Sequence, residues 1–352
     1  MRTQGTYLAG LGVHRPSTVS VQSAVERGEL TAQEARASGM ASVAVAGATP
    51  APELALRAAQ DAMKNSGLSA SDISLLVYTD VWHQGPDGWQ PQYHLQRQLL
   101  GDDLLAVELR HGCSGVFSAL ELAVPHLRTA GDGRAALITA GDNFGSPLIN
   151  RWNPGEGSSY LGDGGAAVVV SRESGFAEVL SVCTATLSEM EQAHRAGEPM
   201  FPPGATVEAT VDFGARAERF QREAIEDGAW VRLLLAHQRR NLECVQRALD
   251  EAGVRQQDVS RVLIHSMPRQ AAASYLTILG FDLEQSSWGF SRTVGHLGAG
   301  DHLSALHHLL VSGGVAAGDR LLLCGFSPGV TYKAAVVRVL DPTGFRDRQE
   351  GS

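Results

Sequence analysis

The chain has 352 residues, 43% of them hydrophobic and 19% charged, with a formal net charge of −9 at pH 7. That composition suits a globular protein with room for two domains or one duplicated one, and the acidic balance excludes the basic footprint of a nucleic-acid binder. No apolar run approaches the ~18 residues that cross a bilayer, so no membrane partner is expected.

The N-terminal stretch MRTQGTYLAGLGVHRP lacks the long apolar core and small-residue cleavage site of a secretory signal. The cysteines (Cys113, Cys183, Cys244, Cys324) are far apart and show no paired spacing for zinc or a redox dithiol. The expected compartment is the cytoplasm, with no metal and no resident cofactor.

In chain order, TYLAGLGVH predicts a strand, and VQSAVERGELTAQEARA a polar surface helix. ELALRAAQDAMKNSG predicts a helix capped by Gly67, followed by a turn and the strand SLLVYTD. Asp80 to His94, DVWHQGPDGWQPQYH, reads as a rigid aromatic loop. Such a loop suits an acyl pocket, a subunit contact or plain surface packing.

Next comes the stretch on which the rest is organised. Val107 to Arg110 alternates like a strand, HGCSG (His111–Gly115) is a tight turn, and FSALELAVPHL begins a helix at once. Leu120, Leu122, Ala123 and Leu127 recur at helical spacing. Cys113 therefore stands at a helix start, where unpaired N–H groups and the helix dipole favour a thiolate. A thiolate there is a nucleophile for acyl transfer. The alternative is a buried structural cysteine.

LGDGGAAVVVSRE turns tightly at Gly162–Gly165 into a strand. A phosphate loop is disfavoured, because no Gly-Lys-Ser or Gly-Lys-Thr and no helix follow. Ser188 to Gly228 carries Pro199, Pro202, Pro203, Gly204 and the arginines Arg216, Arg219 and Arg222. It reads as an insertion that lids or shapes a pocket.

Beyond it, LECVQRALDEAGVRQQDVSRVLIHS repeats the earlier order of helix, glycine, turn and strand. Gly67 matches Gly253, Asp72 matches Asp258, Ser74 matches Ser260 and Thr79 matches His265, each pair 186 residues apart. The same offset carries Ser118-Ala119-Leu120 onto Ser304-Ala305-Leu306. A register held from Gly67 to Leu120 predicts an internal duplication. The expected halves are residues 1–171 and 172–352, each an α/β unit with largely buried sheet.

The repeat pairs two strand–turn–helix corners: HGCSG with Cys113, and RTVGHLGAGDHLSALHHLL with His296 and Asp301. Matching corners of a pseudo-two-fold fold can converge, which places Cys113 and His296 in one site. His265 ends the strand before the second corner and can point there too. Asp301 has a second reading as the N-cap of its helix. His302, His307 and His308 read as solvated helix residues. A metal site from His296, Asp301 and His302 is disfavoured, because adjacent residues diverge on a helix. Arg269, close behind His265, reads as a surface arginine or as a contact for a carrier-protein phosphate or acidic helix.

The Cys113 elbow, LGDGGAAVVV, the strand ending in His265, the corner GHLGAGD and the terminal CGFSPGVTYKAAVV together make the chain resemble the thiolase-fold condensing enzymes of the ketoacyl-carrier-protein synthase III group. The resemblance implies a five-layered αβαβα fold, a homodimer, and a Cys-His-Asn site fed by acyl thioesters through a pantetheine tunnel. On it, Cys113 takes the cysteine's place and His265 the histidine's. His296 stands where the family has asparagine, with Asp301 following. Pro328 falls in the family's glycine-rich oxyanion loop, and a proline has no N–H to donate; Cys113 N–H or Gly329 would then hold the oxyanion. The tryptophan that stacks on the coenzyme A adenine in well-known members is missing, which favours a carrier-protein donor over coenzyme A.

The altered pattern is similar to a natural-product branch that passes the acyl group to an oxygen or amine nucleophile. Proton removal from a hydroxyl needs a base, and a histidine oriented by an aspartate supplies one. The expected function is therefore an acyltransferase with Cys113, His296, Asp301 and His265 as its catalytic residues and Arg269 toward the donor. It would take an acyl-carrier-protein or coenzyme A thioester and a small-molecule acceptor such as a sugar. Alternatives are a starter-unit synthase catalysing decarboxylative Claisen condensation and a non-catalytic partner subunit.

Overall fold

The computed structural model describes residues 1–155, 159–201 and 210–346. The first half runs β1 (Tyr7–His14), β2 (Thr18–Ser20), α1 (Val21–Glu26), α2 (Ala32–Ser38), β3 (Ser42–Ala44), α3 (Ala51–Ser66), β4 (Ile73–Asp80), α4 (Pro91–Leu99), β5 (Leu105–Arg110), α5 (Gly115–Thr129), β6 (Ala135–Asp142) and β7 (Gly164–Ser171). The second runs β8 (Ala177–Thr186), α6 (Phe213–Glu226), α7 (Trp230–Ala252), β9 (Arg261–Ile264), α8 (Arg269–Leu279), α9 (Trp288–Ser291), α10 (Asp301–Val311), β10 (Arg320–Ser327), β11 (Thr331–Val339) and α11 (Thr343–Arg346).

The main sheet has the order β5-β4-β6-β7-β1-β8-β11-β10-β9. Read outward from the β1–β8 junction, both sides follow one pattern. β4 is parallel to β6 and β6 antiparallel to β7, just as β9 is parallel to β10 and β10 antiparallel to β11. This is the expected duplication, seen as strand order. β7 is buried at every residue, which is why it reads as an unbroken apolar run.

Three clusters of apolar side chains mark the layers. One outer cluster joins α3 to the first half of the sheet through Ala55, Ala58 and Ala59 against Leu76, Leu137 and Val169. The other joins α7 and α8 to the second half through Val245, Leu249 and Leu276 against Val262, Leu322 and Val336. Between the halves, α5 and α10 bring Phe117, Leu120, Leu303 and Leu306 to the inner faces of both. The result is a thiolase-like αβαβα arrangement with α5 and α10 in the middle layer.

Several local expectations change. The polar stretch after β1 is two helices, because Gly28 turns at φ 74 and Thr31 with Glu34 forms a capping box that starts the second. His94 lies in α4 rather than in the aromatic loop, since Pro91 starts a helix there. Leu122 is exposed, although Leu120, Ala123 and Leu127 are buried as predicted. The glycines leading into and opening β7 do serve close packing: a β-carbon on Gly165 would lie 2.1 Å from the Leu54 carbonyl oxygen.

The Ser188–Gly228 insertion forms a short 3₁₀ segment (Ser188–His194) and α6, and lays Met190, Ala193 and Phe220 on the outer cluster of the second half. Arg216 pairs with Glu198, and Arg219 and Arg222 pair along α6 with Glu223 and Glu218. These arginines serve the insertion itself. Pro202, Pro203 and Gly204 lie outside the described residues.

Candidate active site

The turn that carries Cys113 is built by two glycines. Gly112 adopts φ 56, a left-handed turn that carries the chain from β5 into one 3₁₀ turn, Gly112–Ser114, and on into α5. At Gly115 a β-carbon would stand 1.6 Å from Thr79 Oγ1, so only glycine lets the helix start so close to β4. Cys113 sits half-buried in that turn, where the first N–H groups have no intrahelical acceptor. The other three thiols are buried, and burial pushes Cys244 and Cys324 up to about 12, which leaves them inert.

The second corner is stitched to the first half by its backbone. His296 N–H donates to the Tyr160 carbonyl at 2.8 Å, and Gly162 N–H donates to the His296 carbonyl at 2.8 Å. Asp142, at the end of β6, accepts from Val81 and Trp82 N–H at 2.9 Å each and from Ala299 N–H at 3.2 Å. It ties the end of β4 to the turn that begins α10.

These bonds set the imidazole between sulfur and carboxylate. His296 Nε2 lies 2.8 Å from Cys113 Sγ. His296 Nδ1–H donates to Asp301 Oδ2 in a short contact, which leaves Nε2 to receive the thiol proton. Asp301 also accepts Leu297 N–H at 2.6 Å and Ser266 N–H at 2.8 Å. Gly300 holds the N-cap position and Asp301 is the first helical residue. Asp301 thus does not cap α10; its carboxylate turns back onto the corner.

Burial acts to lower the basicity of His296, but the Cys113 thiolate and the Asp301 carboxylate outweigh it and raise its pKa well above the ordinary histidine value. Burial acts to raise Asp301, yet His296 and the two backbone donors hold it below the usual carboxylate range.

His265, just past the end of β9, is buried, with its ring 6.1 Å from that of His296 between centroids. Burial first, then the neighbouring His296 and His302, push its pKa down to about 3, so it is a neutral imidazole. No hydrogen bond joins it to Cys113 among the described residues. His302 is buried, not solvated: α10 lies between the sheets, and Nε2–H donates to the Cys324 carbonyl at 3.0 Å with the ring edge-on to Phe117. His307 and His308 are half-buried, and His308 stacks on Phe290. Arg269 is an exposed residue at the start of α8 with its guanidinium over Trp288, 5.8 Å from the ring centroid. Among the described residues no cluster of side chains is set to hold a metal ion.

The reading of the sequence missed Asp142, whose signal was an acid closing an otherwise apolar strand, AALITAGD. Burial pushes its pKa up to about 7 against the pull of its three backbone donors. An open depression of about 340 Å³ lies between Thr49–Ala51 and the Trp82–Gly85 loop, and none of Cys113, His296, Asp301 or His265 lines it.

A helix-start cysteine and an aspartate-backed histidine are brought together by two copies of one α/β unit in a thiolase-like fold. Comparison agrees. Residues 107–188 match the 3-oxoacyl-(acyl-carrier-protein) synthase III family and residues 249–339 its C-terminal domain. The mycobacterial beta-ketoacyl-(acyl-carrier-protein) synthase III of Mycobacterium tuberculosis is 27% identical over 305 residues, 82% of this chain and 81% of that one. The solved structure of ChlB3, described as an acyltransferase, is 44% identical and superimposes with a TM-score of 0.91, covering 97% of this chain and 99% of that one. The 3-oxoacyl-(acyl-carrier-protein) synthase III of Aquifex aeolicus, at 20% identity and a TM-score of 0.74 over 95% of this chain and 99% of that one, shares the fold. The chain belongs to the 3-oxoacyl-(acyl-carrier-protein) synthase III family, and it is an acyl-transferring enzyme.

Proposed function

We propose that this protein takes an acyl group from an acyl-carrier-protein thioester onto Cys113 and passes it to a hydroxyl or amine of a small molecule such as a sugar. The observation that carries the reading is the 2.8 Å contact of Cys113 Sγ with His296 Nε2, backed by Asp301 on Nδ1. Where the family's asparagine would offer a neutral donor, this chain has a proton acceptor.

Cys113 gives its proton to His296 and attacks the thioester carbonyl. The carrier sulfur departs as a thiolate and takes that proton from His296. Acylation removes the thiolate, one of the two charges that raise His296, so the imidazole becomes less basic than in the resting site. It then takes the proton of the acceptor hydroxyl as the oxygen attacks the acyl carbon. His265, held neutral, is a weak base and serves as a hydrogen-bond donor. Arg269 is exposed near this corner and meets the acidic or phosphate face of the carrier.

Decarboxylative condensation instead needs two neutral donors over an enolate, and a His296 tied to Asp301 is a poor second donor. A non-catalytic role leaves the aligned thiol unused. Free thiols at all four cysteines fit a reducing cytoplasm. In the working protein we expect a homodimer, because among the described residues β5 is an edge strand of the sheet with Leu105 exposed on it. The test is carbon dioxide release from malonyl carrier protein measured beside acyl transfer to added hydroxyl or amine acceptors. Transfer without carbon dioxide supports the reading; stoichiometric decarboxylation with a new carbon–carbon bond replaces it.

A further inference from the structure

Acyl transfer through Cys113 makes a tetrahedral oxyanion, and two donors hold such an oxygen better than one. Cys113 N–H, at the start of its turn, can be the first. Opposite it lies the hairpin that joins β10 to β11. Pro328 in that hairpin has no N–H, and its Cδ, bonded to the nitrogen in place of a hydrogen, lies 3.2 Å from where a β-carbon on Gly112 would stand. The main chain of the hairpin therefore offers no donor at Pro328.

The neighbouring side chain does. Alternation along β10 sends Leu322 and Cys324 to the outer cluster and Leu321 and Leu323 to the inner one. Gly325 faces inward, since a β-carbon there would meet His265 Nδ1 at 2.6 Å. Ser327, two residues on, shares that face, and its Cβ lies 3.5 Å from the Gly112 β-carbon position. Ser327 is 3% exposed, and its Oγ has no hydrogen-bond partner among the described residues. A buried hydroxyl left unpaired at a reacting centre calls for a partner supplied by the substrate.

We propose that the Ser327 hydroxyl is a catalytic residue, the second donor to the oxyanion beside Cys113 N–H; this rests on the acyl-transfer reading of the same site. Cys113 sulfur bonds to the thioester carbonyl carbon, and the carbonyl π pair moves onto oxygen, which accepts from Cys113 N–H and Ser327 O–H. The pair returns as the carbon–sulfur bond to the carrier breaks, and the carrier sulfur takes the proton from His296. In the second half the acceptor oxygen bonds to the same carbon, its proton goes to His296, and the Cys113 thiolate leaves.

The test is single-turnover acylation by acetyl, malonyl and benzoyl thioesters of N-acetylcysteamine, read by intact mass in wild type, Ser327→Ala and Ser327→Thr. Alkylation of Cys113 by iodoacetamide, a displacement without an oxyanion, is measured on the same proteins. We expect Ser327→Ala to slow acylation on the order of 10²-fold with alkylation unchanged, and Ser327→Thr, which keeps the hydroxyl, to recover much of the rate. Wild-type acylation by Ser327→Ala overturns the assignment and leaves the acyl-transfer reading standing. Equal slowing of acylation and alkylation also overturns it, since that marks a displaced thiol. No adduct on wild type with any of the three thioesters overturns the acyl-transfer reading and this assignment together.

Discussion

Asp301 holds three groups at once: the His296 ring and the N–H groups of Leu297 and Ser266. The first contact sets the charge on the imidazole and the other two fix where it stands. Asp301→Asn keeps the size and removes the charge. The His296 titration midpoint, followed by NMR, is expected to fall, because one of the two charges that raise it is gone. Transfer should slow by about 10²–10⁴-fold at neutral pH. Stability should change with a definite sign. A histidine raised by folding stabilises fully below its unfolded value, about 6.5, and loses that contribution as pH rises through the folded one. An aspartate lowered by folding stabilises above its unfolded value, about 3.9, and loses it as pH falls. The urea midpoint of wild type should exceed that of Asp301→Asn most between these values, and the gap should shrink in alkaline solution. Cys113 stood out in the chain as a helix-start cysteine, His296 and Asp301 as the matching corner of the repeat, and His265 as the end of the strand before it. The three backbone contacts of Asp142 and the burial of His302 were not legible, since both depend on which layer a helix or strand end occupies.

At the scale of elements, α5 follows directly on the Cys113 turn and is pinned at both faces. Toward β4 it is pinned by the absence of a side chain at Gly115. Toward the second half it is pinned by Glu121, which accepts from Lys333 at 2.7 Å and from Thr184 at 2.6 Å, with Lys333 buried on β11. Gly115→Ala must push α5 away from Thr79. We expect a loss of about 1–3 kcal/mol in denaturant titration and an acylation defect larger than that loss explains. Glu121→Ala leaves the Lys333 ammonium buried without its carboxylate and should cost about 3 kcal/mol; replacing Lys333 with Met in the same protein should recover most of it. The helix itself was plain in FSALELAVPHL. Its exposed Leu122 and half-buried Glu121 were not, because α5 faces two sheets and a single-stripe pattern does not describe a helix between layers.

For the whole molecule, the offset of 186 residues becomes geometry: β4, β6 and β7 have counterparts in β9, β10 and β11, and the corners that follow β5 and α9 meet at the sulfur. The duplication and the pairing of the corners were legible because a repeat preserves register, and the five layers were implied by the resemblance to the condensing enzymes. The placement of the Ser188–Gly228 insertion was not, since it has no counterpart in the first half to position it. Among the described residues β5 is an edge of the sheet, and a second copy paired there predicts a sedimentation mass twice the 37.3 kDa of the chain. Leu105→Arg should return it to one.

The measurement that bears most directly on the account is the intact mass of the protein after incubation with acyl carrier protein loaded with a panel of acyl groups. The account predicts one acyl increment on wild type, none on Cys113→Ala, and loss of the increment when a hydroxyl or amine acceptor is added. An unmodified wild-type protein with every donor, or an increment that survives Cys113→Ala, contradicts it.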